Sequence, residues 1–444
     1  MRRQVEYVLS KAEERGVRLI RLWFTDVHGQ LKSFAIAPAE LEVALEEGML
    51  FDGSSIDGYS RFAEQDVLAR PDADTFQILG WSSDGESSAR MFCDIQDADG
   101  APFPGDTRRV LRRQLDRAHD MGFTFLVAPE MEYFLFSDSD PSGPLVPLDQ
   151  GSYFDLTTAD ASSAIRRQTL EALESMGIPV EYSFHEDAPS QNEIDLRHTD
   201  ALTMADSVMT FRLIVREIAM ENGVHATFMP KPLAGVQGSG MHTHMSLFEG
   251  DRNAFHDADD PQGLSAVARH FIAGLLRHAP EITAVTNQLV NSYKRLIVGY
   301  EAPVWITWAR SNRAALVRVP KHKSGRPDAT RIEYRAPDPA CNPYLAFAVM
   351  LAAGLAGIEN GYELPPEAPA DVFSMSPEAV EAAGHAPLPR SLAEALDHME
   401  TSEMVADTLG EHLFHWFLRN KRREWTDYKS QVTQFELDSY YRNI

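Results

Sequence analysis

Apolar residues recur at helical spacing from the start of the chain. Val5, Val8, Leu9 and Ala12 share one face and Gly16 supplies a stop, which predicts a helix over residues 3–15. VRLIRLWF and LKSFAIAP, separated by Asp26-Val27-His28-Gly29, predict a hairpin. Strand-like stretches follow at Thr75–Trp81 and Arg90–Ile95. The turn-rich DADGAPFPG at 97–105 marks a boundary, giving units 1–103 and 104–444. Beyond it helices and strands alternate. Asp106 is placed to cap a helix that stops at Gly122 before a strand, and Asp160 to cap another that stops at Gly177. A long helix over roughly 200–222 precedes strand VHATFM. Asn342-Pro343 opens a small-residue helix reaching Gly361, and the last ~55 residues are again helical after a Pro-rich connection at 364–369.

Charge recurs at period two on several strands. In FLVAPEMEYFLF, Glu130 and Glu132 oppose Met131, Tyr133 and Leu135. In QNEIDLR, Glu193, Asp195 and Arg197 oppose Ile194 and Leu196. In GSGMHTHMS, His242, His244 and Ser246 oppose Met241, Thr243 and Met245, and in TRIEYRAP Arg331, Glu333 and Arg335 oppose Ile332 and Tyr334. Two readings fit: each polar face meets solvent, or the four line one concave channel. The abundance of Glu, His and Arg rather than Lys, Thr and Ser favours the channel. Clustered carboxylates there stay ionised only around a cation, and oxygen ligands with an imidazole and no thiolate suit Mg²⁺ or Mn²⁺. Arg295, Arg310, Arg313, Arg318, Arg331 and Arg335 supply the complementary charge, which suits an anionic substrate or phosphoryl transfer.

The 444 residues carry 41 Lys+Arg against 66 Asp+Glu, a net charge of −25, which argues against nucleic acid as a partner. Two cysteines cannot build a disulfide framework. Glu6, Lys11, Glu13 and Glu14 occupy the place of a signal peptide's apolar block, and the longest apolar run, Phe347 to Ile358, falls short of the ~20 residues of a spanning helix. A cytoplasmic protein without membrane contact is expected. No Walker, dinucleotide-binding, kinase or nucleophile-elbow motif occurs, so any use of ATP requires another scaffold.

Seven ordered segments resemble type I glutamine synthetase over essentially the whole chain: FDGSSIDGY (51–59), PEMEYFLF (129–136), HEDAPSQNEIDLR (185–197), GSGMHTHMS (238–246), NSYKRLIVGYEAP (291–303), NRAALVRVP (312–320) and RIEYRAPDPACNPYLAF (331–347). The resemblance implies an α+β fold, with a small N-terminal β-grasp domain and a large catalytic domain whose curved antiparallel half-barrel sheet is flanked by helices. It implies a two-step reaction: the γ-carboxylate of L-glutamate attacks the γ-phosphoryl of ATP, then ammonia displaces phosphate from the acyl phosphate. Two or three Mg²⁺ or Mn²⁺ ions per site are implied, one held by Glu132, Glu186 and Glu193 and a second by Glu130, His242 and Glu333. Arg295 and Arg335, with Gly238 and Gln237, would bind glutamate. Arg313 and Arg318 would stabilise the phosphoryl group, and Glu181, His244 and Ser246 would border the nucleotide. Asp52 would deprotonate ammonium in a site shaped by Tyr153, Glu186 and Ser55 and supported by Asp66. Glu301 would close over the acyl phosphate and exclude water. A dodecamer with active sites shared between subunits is also implied.

The chain departs from the family pattern at Asp187, Ser190 and Gln237. Some relatives join glutamate to alkylamines or polyamines, and an added carboxylate such as Asp187 would attract a polycation. Retention of Asp52, Tyr153 and Glu186 favours ammonia. Phe373 stands where long regulated members carry an adenylylated tyrosine, so no adenylylation is expected, and Arg61 resembles an arginine linked to glutamine feedback. An inactive binding protein on this fold should have lost metal carboxylates or phosphate arginines, and none is missing.

Overall fold

The computed structural model describes residues 2–54, 56–58, 66–80, 87–156, 160–323, 325–369, 375–442 and 444. Six strands form the N-terminal sheet: β1 (Leu19–Thr25), β2 (Leu31–Ile36), β3 (Met49–Asp52), β4 (Asp66–Pro71), β5 (Gln77–Leu79) and β6 (Ser88–Asp97). Their order is β2-β1-β6-β4-β3, with β5 also on β6; β1 and β6 run parallel and the other pairs antiparallel. The expected N-terminal helix is α1 (Arg2–Glu14), and a short α2 (Leu41–Glu47) follows β2. Because side chains alternate, Ile20, Leu22 and Phe24 pack into the core beneath these helices, whereas Trp23 turns the other way onto Phe92 and the core of the rest of the chain. Burial on both faces explains why LIRLWF is nearly continuous in apolar residues. The strand expected over Thr75–Trp81 is the shorter β5, and Trp81 lies outside the described residues.

The second sheet holds β7 (Thr124–Phe136), β8 (Val180–His185), β9 (Gln191–Leu196), β10 (Thr199–Asp200), β11 (His225–Thr227), β12 (Thr243–Glu249), β13 (Arg252–Asn253), β14 (Trp305–Ala309), β15 (Ala315–Arg318) and β16 (Ile332–Tyr334). Its main path is β14-β15-β16-β12-β7-β9-β8, antiparallel except at β14–β15. Thirteen-residue β7 is the spine, pairing with β12 through its first half and β9 through its second. Helices α3 (Thr107–Asp120), α4 (Ser163–Ser175), α5 (Ala201–Glu221), α6 (Ala266–Thr286), α7 (Ser292–Arg295) and α8 (Pro343–Glu359) precede further helices beyond Pro377. Asn342 caps α8 by accepting the Tyr344 and Leu345 N–H groups at 3.0 and 3.3 Å. The helix is apolar all round because it is buried all round, and it meets α6 backbone to backbone: a Cβ added at Gly274 would stand 2.1 Å from the Ala353 carbonyl oxygen.

Asp106 caps α3 as expected, accepting the Arg108 N–H at 3.0 Å. Asp160 does not cap α4. The N-cap residue is Ser162, and the buried Asp160 carboxylate instead pairs with the buried guanidinium of Arg166, which also donates to Asn192 Oδ1 at 2.6 Å. A buried cation one turn into the helix outcompetes the exposed-cap role.

Candidate active site

Strand register brings the four charged faces together. Glu132 lies directly across from Glu193, Glu130 from Asp195, and His244 from Glu333. Glu132, Glu193, His242, His244, Glu333 and Arg335 are all buried, so their shared face does not meet bulk water. The alternate residues Met131, Tyr133, Ile194, Ile332 and Tyr334 enter the main hydrophobic core, which fixes the register because a one-residue slip would exchange the two sets. Above the polar face lies a cavity of about 590 Å³ whose walls include Glu130, Glu186, Glu193, Asp195, His242, Tyr153, Glu301, Arg313, Arg318 and Arg335.

Hydrogen bonds order this face in detail. Glu130 accepts from His242 Nδ1 at 3.0 Å and from His244 Nε2 at 2.7 Å. His242 Nε2 faces Arg295 Nη2 at 3.4 Å and His244 Nδ1 accepts from Arg331 Nε at 3.2 Å, so each imidazole carries its proton toward Glu130. Glu132 Oε2 accepts from Gln191 Nε2 and from the Gly240 N–H, both at 2.9 Å. Glu333 is gripped by Arg318 and Arg335. Arg295 is buried and tied to the Ala336 and Arg335 carbonyls at 2.7 and 3.1 Å. A Cβ at Gly240 would come within 2.5 Å of Arg295 Nη2, so this arginine can pass only a glycine.

Electrostatics divides the carboxylates. Burial raises the pKa of Glu130, but His244 and His242 overcome it and hold the group well below the usual range. Burial likewise opposes ionisation of Glu333, and Arg335 overcomes it. Elsewhere burial wins, aided by neighbouring carboxylates: Glu132 is pushed up to about 8, Asp195 to about 7 and Glu186 to about 6, and Glu193 rises well above its ordinary value. His242 is lowered by burial and then by Arg335 to about 4, which leaves a neutral imidazole able to serve as a ligand.

These features fit a divalent cation. Ligand atoms of Glu130, His242 and Glu333 all lie within 4.8 Å of one another, as do those of Glu130, Glu193 and Asp195. Asp195 Oδ1 is buried without a hydrogen-bond partner, the condition expected of an oxygen that faces an ion.

The remaining expected residues fall in several places. Arg313 stands 3.6 Å from Glu301, whose N–H donates to Gln237 Oε1 at 2.9 Å, and Gly238 accepts from Gln191 Nε2 at 3.1 Å, so all of these border the cavity or its carboxylates. Tyr153 stacks on Phe154 with ring centroids 4.0 Å apart. Ser246 shares the face of His244 on β12, which His242 immediately precedes, and Glu181 is exposed on β8. Asp52 and Asp66 are exposed and face each other across β3 and β4, and neither lines the cavity. Asp52 accepts from the Ser54 N–H and Oγ at 2.8 and 2.9 Å. Ser55, Arg61 and Phe373 lie outside the described residues. Asp187 is exposed and its carboxylate accepts from Ser152 Oγ at 3.4 Å, near the mouth of the cavity.

Asp195, read from the sequence as part of the charged face with Glu193 but not assigned as a ligand, joins a cation cluster. Two residues were not singled out from sequence: His185 and Asp149 form a buried pair at 2.9 Å, and the His185 carbonyl accepts the Phe154 N–H at 3.0 Å, which ties the Tyr153 segment to the strand before Glu186. Only the HE dipeptide hinted at this.

Buried carboxylates that call for a cation, with guanidinium groups at the same cavity, define a metal- and anion-binding α+β enzyme. Comparison with known proteins makes the class specific. The model of the glutamine synthetase catalytic domain matches residues 104–440, and that of the glutamine synthetase β-grasp domain matches residues 16–98. Glutamine synthetase of Mycolicibacterium smegmatis is 59% identical over 443 residues, covering 99% of each chain, and that of Thermotoga maritima is 47% identical over 437 residues, covering 98% of this chain and 99% of the relative. A solved structure of a GmaS/ADP complex superposes with a TM-score of 0.88 at 32% identity, covering 98% of this chain and 99% of that one. The chain belongs to the glutamine synthetase family. Its β-grasp domain and its catalytic domain with a half-barrel sheet are the architecture expected from the sequence. Among the described residues no helix is long and apolar enough to cross a membrane.

Proposed function

We propose that this enzyme ligates ammonia to the γ-carboxylate of L-glutamate at the expense of ATP, through γ-glutamyl phosphate, releasing L-glutamine, ADP and phosphate. The observation that carries the reading is the convergence of six metal-type ligands from β7, β9, β16, the turn after β8 and the residue just before β12, with Glu132, Glu193, His242 and Glu333 buried, beside Arg295, Arg318 and Arg335. Glu130, His242 and Glu333 would hold one divalent ion, and Glu132, Glu186 and Glu193 another, with Asp195 beside them; Mg²⁺ or Mn²⁺ suits these hard ligands. Bound ions supply electrostatic stabilisation of the phosphate charge.

The protein's own groups perform the rest. Arg295 and Arg335 orient glutamate by its α-carboxylate, while Arg313 and Arg318 offset the charge that builds on the transferring phosphoryl group. Glu181, His244 and Ser246 border the nucleotide. Ammonium enters near Tyr153 and Glu186, where negative charge favours the cation, and must lose a proton because only free ammonia has the attacking lone pair. Asp52, supported by Ser55 and Asp66, is the base. Its exposure at the edge of the N-terminal sheet, off its own chain's cavity, supports delivery into a neighbouring subunit's site, as a ring-built dodecamer requires. Glu301 covers the acyl phosphate. Arg61 is assigned to glutamine feedback.

The test compares phosphate release from ATP and glutamate with ammonium, methylamine, ethanolamine or spermine. Ammonium is expected to give the highest kcat/KM. A greater than tenfold preference for an amine would reassign the nitrogen donor, and no phosphate release with any donor would overturn the reading.

A further inference from the structure

We propose that Lys231 and Gln237 form a clasp that holds the segment carrying Tyr300 and Glu301 over the cavity, acting as positioning residues that keep water from the acyl phosphate. The inference rests on the proposed function and adds what holds the cover shut.

Lys231 is only 8% exposed, and among the described residues no carboxylate pairs with it. Its Nζ donates to the Val236 carbonyl and stands 3.6 Å from the centroid of the Tyr300 ring. A buried ammonium without a counter-ion is retained only where its contacts replace lost hydration, and the face of an aromatic ring does so. Its main chain is fixed in both directions by one side chain: the Lys231 N–H donates to Asn291 Oδ1 at 2.7 Å, and Asn291 Nδ2 donates to the Lys231 carbonyl at 3.0 Å. Asn291 begins the same segment that carries Arg295 and then Tyr300.

Gln237 makes the second tie, accepting the Glu301 N–H at 2.9 Å. Both grips project from one closed turn. The Ser239 N–H donates to the Pro230 carbonyl at 2.8 Å, and a Cβ at Gly238 would stand 2.4 Å from that oxygen, so the turn has no room to relax. Beyond these ties Glu301 makes an exposed ion pair with Arg313 at 3.6 Å, and the chain before Tyr300 faces solvent, with Ile297 40% and Val298 63% exposed. Two adjacent residues are therefore fastened by a rigid frame while the chain before them faces solvent. When the cover lifts, water attacks the acyl carbon, the C–O bond to phosphate breaks, and glutamate and phosphate form in place of glutamine. The net reaction is then hydrolysis of ATP to ADP and phosphate.

The full-length enzyme is tested as Tyr300→Ala and Lys231→Met, with Tyr300→Phe and Lys231→Arg as variants that keep the ring and the charge. Two quantities are read: phosphate released per glutamine formed at limiting ammonium, and amide hydrogen exchange over residues 299–302 without ligands. Loss of one cation–ring contact is expected to speed that exchange about 2- to 30-fold. The phosphate-to-glutamine ratio should rise above one in Y300A and K231M and stay near one in Y300F and K231R. Unchanged exchange and ratio in both Y300A and K231M would overturn the clasp. If the unaltered enzyme makes no glutamine, the ligase reading fails, while the exchange measurement still decides whether the clasp exists.

Discussion

Metal loading should expel protons, in a number set by the buried carboxylates. At pH 7, groups with pKa near 8, 7 and 6 hold about 0.9, 0.5 and 0.1 proton, so Glu132, Asp195 and Glu186 together release about 1.5 protons when a cation holds them ionised, before Glu193 adds its share. Neutral His242 adds none. Linkage then requires apparent metal affinity to climb about 30-fold between pH 6.5 and 7.5, since each proton displaced contributes tenfold per pH unit. The sign for stability follows. These carboxylates have folded pKa values above their unfolded ones, so the metal-free protein is favoured at low pH and loses stability as pH rises through 6 to 8. The thermal stabilisation conferred by Mg²⁺ or Mn²⁺ should therefore grow over that interval. Calorimetric titration of metal into chelator-treated enzyme, repeated in buffers of different ionisation enthalpy, counts the protons. Release near zero at pH 7, or an affinity flat from pH 6 to 8, would refute a cage of desolvated carboxylates.

Arg335→Lys should raise the KM for glutamate at least tenfold, because a lysine cannot engage Glu333 and a carboxylate with two parallel bonds; initial rates against glutamate check this. Asp52→Ala and Glu333→Ala subunits should each be inactive, yet regain part of the activity when dissociated, mixed and reassembled, since a shared site can then combine one intact half from each. Recovery no greater than either parent would contradict sharing. Gly274→Ala drives a Cβ against the Ala353 carbonyl and should lower stability by about 1–3 kcal/mol, read by denaturant unfolding with metal and nucleotide absent.

The site was legible in the sequence because its chemistry is written at period two. Glu130, Glu132, Glu193, His242, His244 and Glu333 alternate with Met, Tyr, Ile and Thr, and once the apolar set must enter a core the charged set has to converge. Sheet order was not legible, since β7 takes partners from residues 191–196 and 243–249, and no local pattern records such pairings. Asp160 misled because an aspartate before a helix has the appearance of a cap, whereas its partner Arg166 sits inside the helix and is buried only by the tertiary fold. Lys231 was silent for a similar reason. In FMPKPLAG it reads as a surface lysine, and only the fold places Tyr300 over it. Asp149 and His185 stand 36 positions apart, beyond any periodicity.

The central claim, an acyl phosphate formed from the γ-carboxylate, is tested most directly with glutamate labelled with ¹⁸O in that carboxylate. Attack of this oxygen on ATP and departure of the same oxygen with phosphate place one ¹⁸O in each phosphate released, with one retained in the glutamine amide carbonyl. Mass analysis of the phosphate should find that single label at every turnover, and unlabelled phosphate formed alongside glutamine would contradict the account.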